Sequence, residues 1–275
     1  MPKLYVVGTP IGNLSDFSER GRQTLCDVDF IAAEDTRVTL KLLNRFDIKK
    51  SLVSYHEHNK AQMGEAIVER IENGESCALV TDAGMPAISD PGEDLVRLCH
   101  ERGVEVESVP GPCAFTTALA LSGMKTRRFV FEGFLPGEKK EKEQVLFTLK
   151  NEERTIVLYE APHRLLKTLR ELYENLGERK IAIVKEITKI HESVLLLTLS
   201  AAIEKYSTSE PKGEFVIIIE GKEKGEGGIK TLEEAVNYAR ELMNDGESRS
   251  NAAKIAAKES GFKKGDIYAQ LGDRD

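Results

Sequence analysis

No apolar run in this 275-residue sequence approaches the roughly 20 residues of a membrane span. The strongest, VLLLTL (194–199) and FVIII (215–219), have the length of buried strands. The opening MPKLYVVG is too short in apolar residues for a signal-peptide core. The four cysteines, Cys26, Cys77, Cys99 and Cys113, lack CxxC or CxxxC spacing, which argues against structural zinc and against a disulfide framework. Free thiols fit a reducing, cytoplasmic compartment. An excess of positive charge is also missing. The formal net charge of −7 argues against a nucleic-acid-binding coat over the whole surface and leaves room for a local basic patch.

What is present is enough for more than one core. Hydrophobic residues make up 40% and charged residues 31%, and the length exceeds that of one typical domain. Strands are expected at LYVV (4–7), 27–33, Cys77–Val80 and VEVESV (104–109), and helices at 36–46, 60–73, 91–103 and 111–122. Such β-α alternation predicts a mainly parallel sheet covered by helices. Ser122–Thr126 reads as a joint. Beyond it, FVFEGFL (129–135), TIVLYE (155–160), IAIVKEI (181–187), SVLLLTL (193–199) and EFVIII (214–219) read as strands, with helices at 137–150 and 162–176. The close spacing of the last strands predicts antiparallel pairing. Gly221–Gly228 reads as a linker, and Thr231-Leu232-Glu233-Glu234 as a capping-box start. The expected organisation is an α/β fold with domains at 1–122 and 123–222 and a small helical tail at 229–275, either a helical cap or a helix-turn-helix-like unit.

Three loops follow strands. GTPIGN (8–13) lacks both the GxGxxG order and a GK[ST] ending, so it is neither a dinucleotide fingerprint nor a P-loop. Alone, it is equally an ordinary strand-to-helix turn. VTDAGMPAISDPG (80–92) holds two Gly, two Pro and two Asp, with no Lys or Arg. It is a poor phosphate cradle. Asp82 can accept from a ribose hydroxyl or an amine, and the backbone near Ala83, Gly84 and Met85 is open to close approach. Asp90 is expected to cap the helix that begins at Pro91. VPGPCAFTTALALSG (109–123) places small residues where a helix offers free N–H groups.

LYVVGTPIGNLSDFSERG, AAEDTR (32–37), SYHEHN (54–59), LVTDAGMPAISDPG (79–92), VPGPCA (109–114), FEGFLP (131–136) and LYEAPHR (158–164) resemble the small-subunit ribosomal RNA ribose 2′-O-methyltransferases. That family lies within the tetrapyrrole-methylase superfamily of S-adenosylmethionine enzymes. The resemblance runs from residue 4 to about 221, with a family-like tail after it. It implies two α/β domains with S-adenosyl-L-methionine in the cleft between them, a homodimer, and 16S rRNA in the small ribosomal subunit as substrate. The methyl acceptor would be a cytidine ribose near the decoding site. It implies cofactor contacts at Ile11 with its loop neighbours Gly8, Pro10 and Gly12, and along Asp82, Ala83, Gly84, Met85 and Pro86. Further contacts are implied at Cys113, Ala114, Tyr159 and Glu160. Cys113 stands where Ser or Thr is common, so that contact is expected to be mainly through backbone. A sulfonium donor is already positive, which suits a loop without cations.

AAEDTR puts Glu34 and Asp35 at a strand end, where they could orient or deprotonate a hydroxyl, with Arg37 placed to grip phosphate. A capping Asp with a surface ion pair is the plain alternative. Arg37, Lys41 and Arg45 recur at steps of four on one helix face, and Lys125, Arg127 and Arg128 lie at the joint. His58, Arg128, His163 and Arg164 are further candidate RNA contacts, though His163 could merely cap the 162–176 helix. His56 and His58, if on a strand, would face one side, but two histidines do not make a metal site, and none is expected. Lys185, Glu186 and Lys189 are equally a solvated strand end. Two rival functions remain: a tetrapyrrole C-methyltransferase on the same fold, and a non-catalytic RNA-binding assembly protein that uses the tail.

Overall fold

The structure, a computed structural model, describes residues 2–223, 231–244 and 246–271. Chain contacts divide it into two compact units, Met1–Glu220 and Gly221–Asp275. In the first unit the elements run β1 (Leu4–Val7), α1 (Glu19–Asp27), β2 (Phe30–Ala33), α2 (Thr36–Arg45), β3 (Ser51–Ser54), α3 (Lys60–Glu72), β4 (Cys77–Val80), α4 (Glu93–Glu101), β5 (Val106–Val109) and α5 (Ala114–Leu121). They continue through β6 (Phe129–Phe134), α6 (Lys139–Leu149), β7 (Thr155–Glu160), α7 (Leu165–Leu176), β8 (Lys180–Lys185), β9 (Ser193–Thr198), α8 (Leu199–Ser207) and β10 (Phe215–Ile219).

The first sheet has the order β3-β2-β4-β1-β5, with every pairing parallel. Strands β2 and β4 are buried at every position, as expected for parallel strands covered on both faces. Their side chains alternate between two cores. Phe30, Ala32, Cys77 and Leu79 join Ile67, Ile71 and Leu95 from α3 and α4. Ile31, Ala33, Ala78 and Val80 join Leu25 and Leu43 from α1 and α2. Each fully buried Leu or Ile contributes about 1.5–3 kcal/mol, so a one-residue slip in register would exchange the two cores wholesale.

The second sheet has the order β6-β7-β10-β8-β9. Only β6 and β7 pair in parallel; the other neighbours are antiparallel, as the late strand spacing predicts. Helices α6, α7 and α8 cover one face. On the other, Ala118 and Leu119 of α5 pack on Val157, Ala182, Val184, Val216 and Ile218. The chain thus crosses to the second sheet at α5, before the Ser122–Thr126 joint.

Two helices escape the sequence reading. The strand expected at 27–33 begins only at Phe30, because Ser18 caps α1 through Gly21 N and Asp27 still belongs to that helix. Helix α8 follows β9 without a breaker, capped by Thr198. His56 and His58 are not on a strand either: β3 ends at Ser54, and they sit in the turn before α3.

The second unit holds α9 (Leu232–Asn244), α10 (Arg249–Ser260) and α11 (Lys264–Gln270). Ala235, Ala239, Ala252, Ala253 and Ala256 let these helices pack closely around Val236, Ile267 and Leu271. The capping box is formed: Thr231 Oγ1 accepts from Glu234 N at 3.1 Å, and Glu234 Oε2 accepts from Thr231 N at 3.1 Å. Most of the expected linker Gly221–Gly228, like the first residues of the tail, lies outside the described residues. Among the described residues no helix is long and apolar enough to cross a membrane.

Candidate active site

In a parallel sheet every strand ends at the same edge, so the loops after neighbouring strands become neighbours. The order β3-β2-β4-β1-β5 lines up the turn at 55–59, the Glu34-Asp35 corner, the 81–92 loop, the 8–13 loop and Pro110–Cys113. The scattered motifs of the sequence are thereby gathered along one rim.

Three of these loops are fastened to each other by backbone. Thr9 N donates to Gly84 O at 2.9 Å, and Gly84 N returns the bond to Thr9 O at 3.2 Å. Thr9 Oγ1 donates to Thr81 O at 3.1 Å. Gly8 N donates to Val109 O at 3.0 Å. Gly8 and Gly111 touch so closely that a Cβ on Gly111 would lie 2.8 Å from Gly8 O, and one on Gly8 2.7 Å from Gly111 Cα. Gly84, at φ +93°, supplies the left-handed turn that faces Ile11.

Between this rim and the second sheet lies a cavity of about 310 Å³. The first sheet contributes Ile11, Ala83, Gly84, Met85, Cys113 and Ala114, all expected from the sequence, with Ile88, Ser89 and Asp90, which were not. The second sheet contributes the expected Tyr159 and Glu160, joined by Phe134, Ala161, Pro162, Ile187 and Glu214–Val216. Phe134 and Pro162 lie within FEGFLP and LYEAPHR, so the motifs carried a signal for them. Glu214–Val216, at a strand start, carried none. The lining residues include three carboxylates and no Lys or Arg.

The expected lining residues Gly8, Pro10, Gly12, Asp82 and Pro86 are not in the wall. Gly8 acts through its approach to Gly111, and Gly12, at φ +152°, lies under Lys189. Glu160 has its carboxylate turned into protein: Oε1 accepts from Ala161 N at 2.8 Å and pairs with Arg164, and Oε2 accepts from Thr168 Oγ1. Tyr159 reaches across to α5, where its hydroxyl accepts from Phe115 N at 3.1 Å and satisfies a free N–H of the helix start. Burial pushes that phenol well above its ordinary pKa. Cys113 gives α5 no side-chain cap; its carbonyl accepts from Thr117 Oγ1 at 2.9 Å.

Beside the cavity runs an open groove of about 500 Å³, lined by Glu34, His56, His58, Ser89, Asp90 and Glu93 among others. Glu34 Oε2 accepts from Thr81 Oγ1 at 2.5 Å. Asp82 Oδ1 accepts from Asp35 N at 3.2 Å, so its side chain serves the Glu34-Asp35 corner. Burial, with the charge of Glu34 behind it, raises the Asp82 pKa. Asp35 caps α2 by accepting from Arg37 N at 2.8 Å and pairs with the Arg37 guanidinium at 2.6 Å. Hydrogen bonding to Arg37 holds its carboxyl at about 2.

Asp90 corrects the sequence reading. The cap position of α4 is Gly92, without any side-chain cap, so Asp90 does not close that helix. It is half-buried between groove and cavity instead, and burial and the Glu34 charge push it up to about 7. His163 is exposed and caps nothing, since the cap position of α7 is Arg164 and the helix has no side-chain cap. Arg164 donates to Leu135 O at 2.6 Å and pairs with Glu160, which ties it to the protein. Lys189 pairs with Glu186 and Glu214 at 3.0 and 2.9 Å. Arg37, Lys41, Arg45 and Arg128 are exposed. Among the described residues no three His, Cys, Asp or Glu side chains are grouped to hold a metal ion.

Comparison with known proteins bears on this site. Residues 3–203 match the family described as Tetrapyrrole (Corrin/Porphyrin) Methylases. The chain is 45% identical over 266 residues to the ribosomal RNA small subunit methyltransferase I of Synechocystis sp., covering 96% of this chain and 95% of that protein. It is 47% identical over 223 residues to the protein of the same name from Thermotoga maritima, covering 81% of this chain and all of the relative. In fold it is similar to a uroporphyrin-III C-methyltransferase from Thermus thermophilus complexed with S-adenyl homocysteine, at TM-score 0.56 and 16% identity, covering 79% of this chain and 97% of that one. On the extent of these matches, the chain belongs to the tetrapyrrole methylase family and, within it, to the group of ribosomal RNA small subunit methyltransferase I proteins.

Proposed function

We propose that this chain is an S-adenosyl-L-methionine-dependent methyltransferase that acts on 16S rRNA of the small ribosomal subunit, at the ribose 2′-oxygen of a cytidine near the decoding site. The observation that carries the cofactor assignment is the cavity wall: carboxylates, apolar side chains and exposed backbone, without a Lys or Arg. Such a wall suits a molecule bearing a sulfonium and an ammonium, and disfavours one bearing phosphates. The rRNA assignment is supported by near-full-length relatives named for that substrate. A tetrapyrrole substrate is supported by the description of the broader family and by likeness of fold, and by none of the near-full-length relatives cited above. The cytidine, the 2′-oxygen and the decoding site are supported by the motif resemblance.

In this reading Ile11, Ala83, Gly84, Met85, Cys113, Ala114 and Tyr159 hold the cofactor, which supplies an activated methyl group. Glu160 shapes the wall through its bonds to Ala161, Thr168 and Arg164. The protein's main task is alignment, because the donor is already activated. Glu34 orients the acceptor from the groove. Asp35 is a weak base, held at about 2, and serves to fix Arg37 and the start of α2. Arg37, Lys41 and Arg45 present phosphate-binding charge on one face of α2, with Arg128, His58, His163 and Arg164 as further RNA contacts. The protein works as a homodimer in the cytoplasm, with the domain limits 1–122, 123–222 and 229–275.

Incubation with labelled S-adenosylmethionine and purified small subunits, naked rRNA or a porphyrinogen tests the reading. Label in one ribose of the small-subunit RNA is the expected result. Label in the porphyrinogen, or no transfer, would overturn it.

A further inference from the structure

The groove shares Ser89 and Asp90 with the cavity wall, and those two belong to the donor side. The polar residues it has to itself are Glu34, His56, Glu57, His58 and Glu93, and no Lys or Arg is among the described residues that line it. With carboxylates and no fixed cation, this wall disfavours phosphate. The part of an RNA that it suits is an uncharged one, a base with its ribose.

Two of these side chains are set by the fold. Strands β2 and β3 pair in parallel with Ala33 opposite Ser54, and Tyr55 N donates to Ala33 O at 2.8 Å. Glu34 and His56 therefore leave neighbouring strand ends, about 4.8 Å apart. Glu34 is anchored by one oxygen: Oε2 accepts from Thr81 Oγ1 at 2.5 Å and from Asp82 N at 3.4 Å. Its Oε1 has no partner among the described residues. His56 is anchored by backbone. Its N–H donates to Asn59 Oδ1 at 2.8 Å, and the Asn59 amide donates to Ser54 O at 3.1 Å. The imidazole Nδ1 is buried without a hydrogen-bond partner. A buried N–H lacking an acceptor is rarer and costlier than a buried lone pair lacking a donor, which assigns the ring proton to Nε2. Nε2 is then the polar atom left for the groove, and it is a donor. The other acids are less available: Glu57 pairs with Lys60 at 2.7 Å, and Glu93 lies 3.9 Å from Arg97.

A held acceptor beside a held donor complements a base edge that carries an amine next to a ring nitrogen. Cytosine presents that order, its N4 amine and then N3. Uracil presents the reverse. Its O4 would face the Glu34 carboxylate and its N3–H the His56 N–H, leaving all four groups unpaired. Adenine shares the amine-first edge and differs from cytosine here by size alone.

We propose that Glu34 and His56 are the specificity-determining pair for the acceptor nucleotide. Glu34 Oε1 accepts from the exocyclic amine of an extruded cytosine, and His56 Nε2–H donates to the neighbouring ring nitrogen. Fixing the base in this way turns its ribose toward the donor side of the groove. The proposal rests on the methyltransferase reading above and deepens it by naming the side chains that read the base.

The test is single-turnover methylation of small subunits reconstituted with RNA that carries either cytidine or uridine at the labelled position. Calorimetry with S-adenosylmethionine runs alongside. Wild type is expected to favour cytidine by about tenfold or more. Glu34→Gln, whose amide can also donate to O4, and His56→Ala are each expected to shrink that ratio by about threefold or more, with donor affinity little changed. His56→Gln, which returns an N–H near the Nε2 position, is expected to restore part of the preference. A purely structural role would slow both substrates alike and leave the ratio where it was. An unchanged ratio in His56→Ala, equal wild-type rates on cytidine and uridine, or a loss of donor affinity as large as the loss of rate would overturn the assignment. Should Glu34→Gln act on neither RNA, the His56 variants decide. Wild-type protein that labels no RNA would instead defeat the underlying reading, and the base-reading pair with it.

Discussion

Gly111 and Asp90 illustrate how much one position decides here. A Cβ on Gly111 would press on the Gly8 backbone at 2.8–2.9 Å, and neither chain segment can yield as a flexible side chain would. Gly111→Ala is expected to cost about 1–3 kcal/mol in urea unfolding and at least tenfold in cofactor affinity. Gly137→Ala, where a Cβ meets nothing within 4 Å, should change neither. Asp90 has a folded pKa of about 7, above the ordinary 3.8. Between these values the folded protein keeps a proton that the unfolded chain has released, so this group's contribution to stability falls as pH rises through that window. Asp90→Asn should remove that part of the slope from urea midpoints measured between about pH 4 and 7. The glycines and the loop were legible in the sequence as Gly/Pro punctuation after apolar runs. Asp90 was not. Asp-Pro-Gly before a helix reads as a cap, and nothing local reveals that Ala87 and Ser89 turn left-handed and lift the carboxyl into a seam.

At the scale of elements, the strands were legible because short apolar runs ended at clear breakers, and the parallel order followed from β-α alternation. α1 and α8 were missed because each abuts a strand with no Gly or Pro between. The partners of Glu160 were beyond reach for another reason: Thr168 lies one turn into α7, and only the folded β7–α7 corner brings it to the carboxylate. The joint between α5 and β7 is equally non-local. Tyr159→Phe removes the acceptor for Phe115 N and is expected to cost about 0.5–1.5 kcal/mol in unfolding free energy. Because Tyr159 also lines the cavity, cofactor affinity should fall with it. In the second unit, Thr231→Ala removes the hydroxyl that accepts from Glu234 N, and leaves the bond from its own backbone N–H to Glu234 Oε2. Hydrogen exchange in the first turn of α9 should rise, with a loss of about 1 kcal/mol in local protection.

For the molecule as a whole, a net charge of −7 means that the proposed RNA recognition would fall to a few exposed cations. Replacing Arg37, Lys41 and Arg45 together by Ala should weaken binding to small subunits and reduce the slope of log affinity against log salt by about 2. An unchanged slope would move the RNA path elsewhere. The whole account rests on the cavity between the two sheets holding a cationic donor, and titration calorimetry reads that directly. The purified protein should bind S-adenosylmethionine at one site per chain, should bind S-adenosylhomocysteine as well, and should give no heat with ATP, whose phosphates find no cation in the wall. Folded protein that takes up neither sulfur compound, or that prefers the nucleotide, would contradict it.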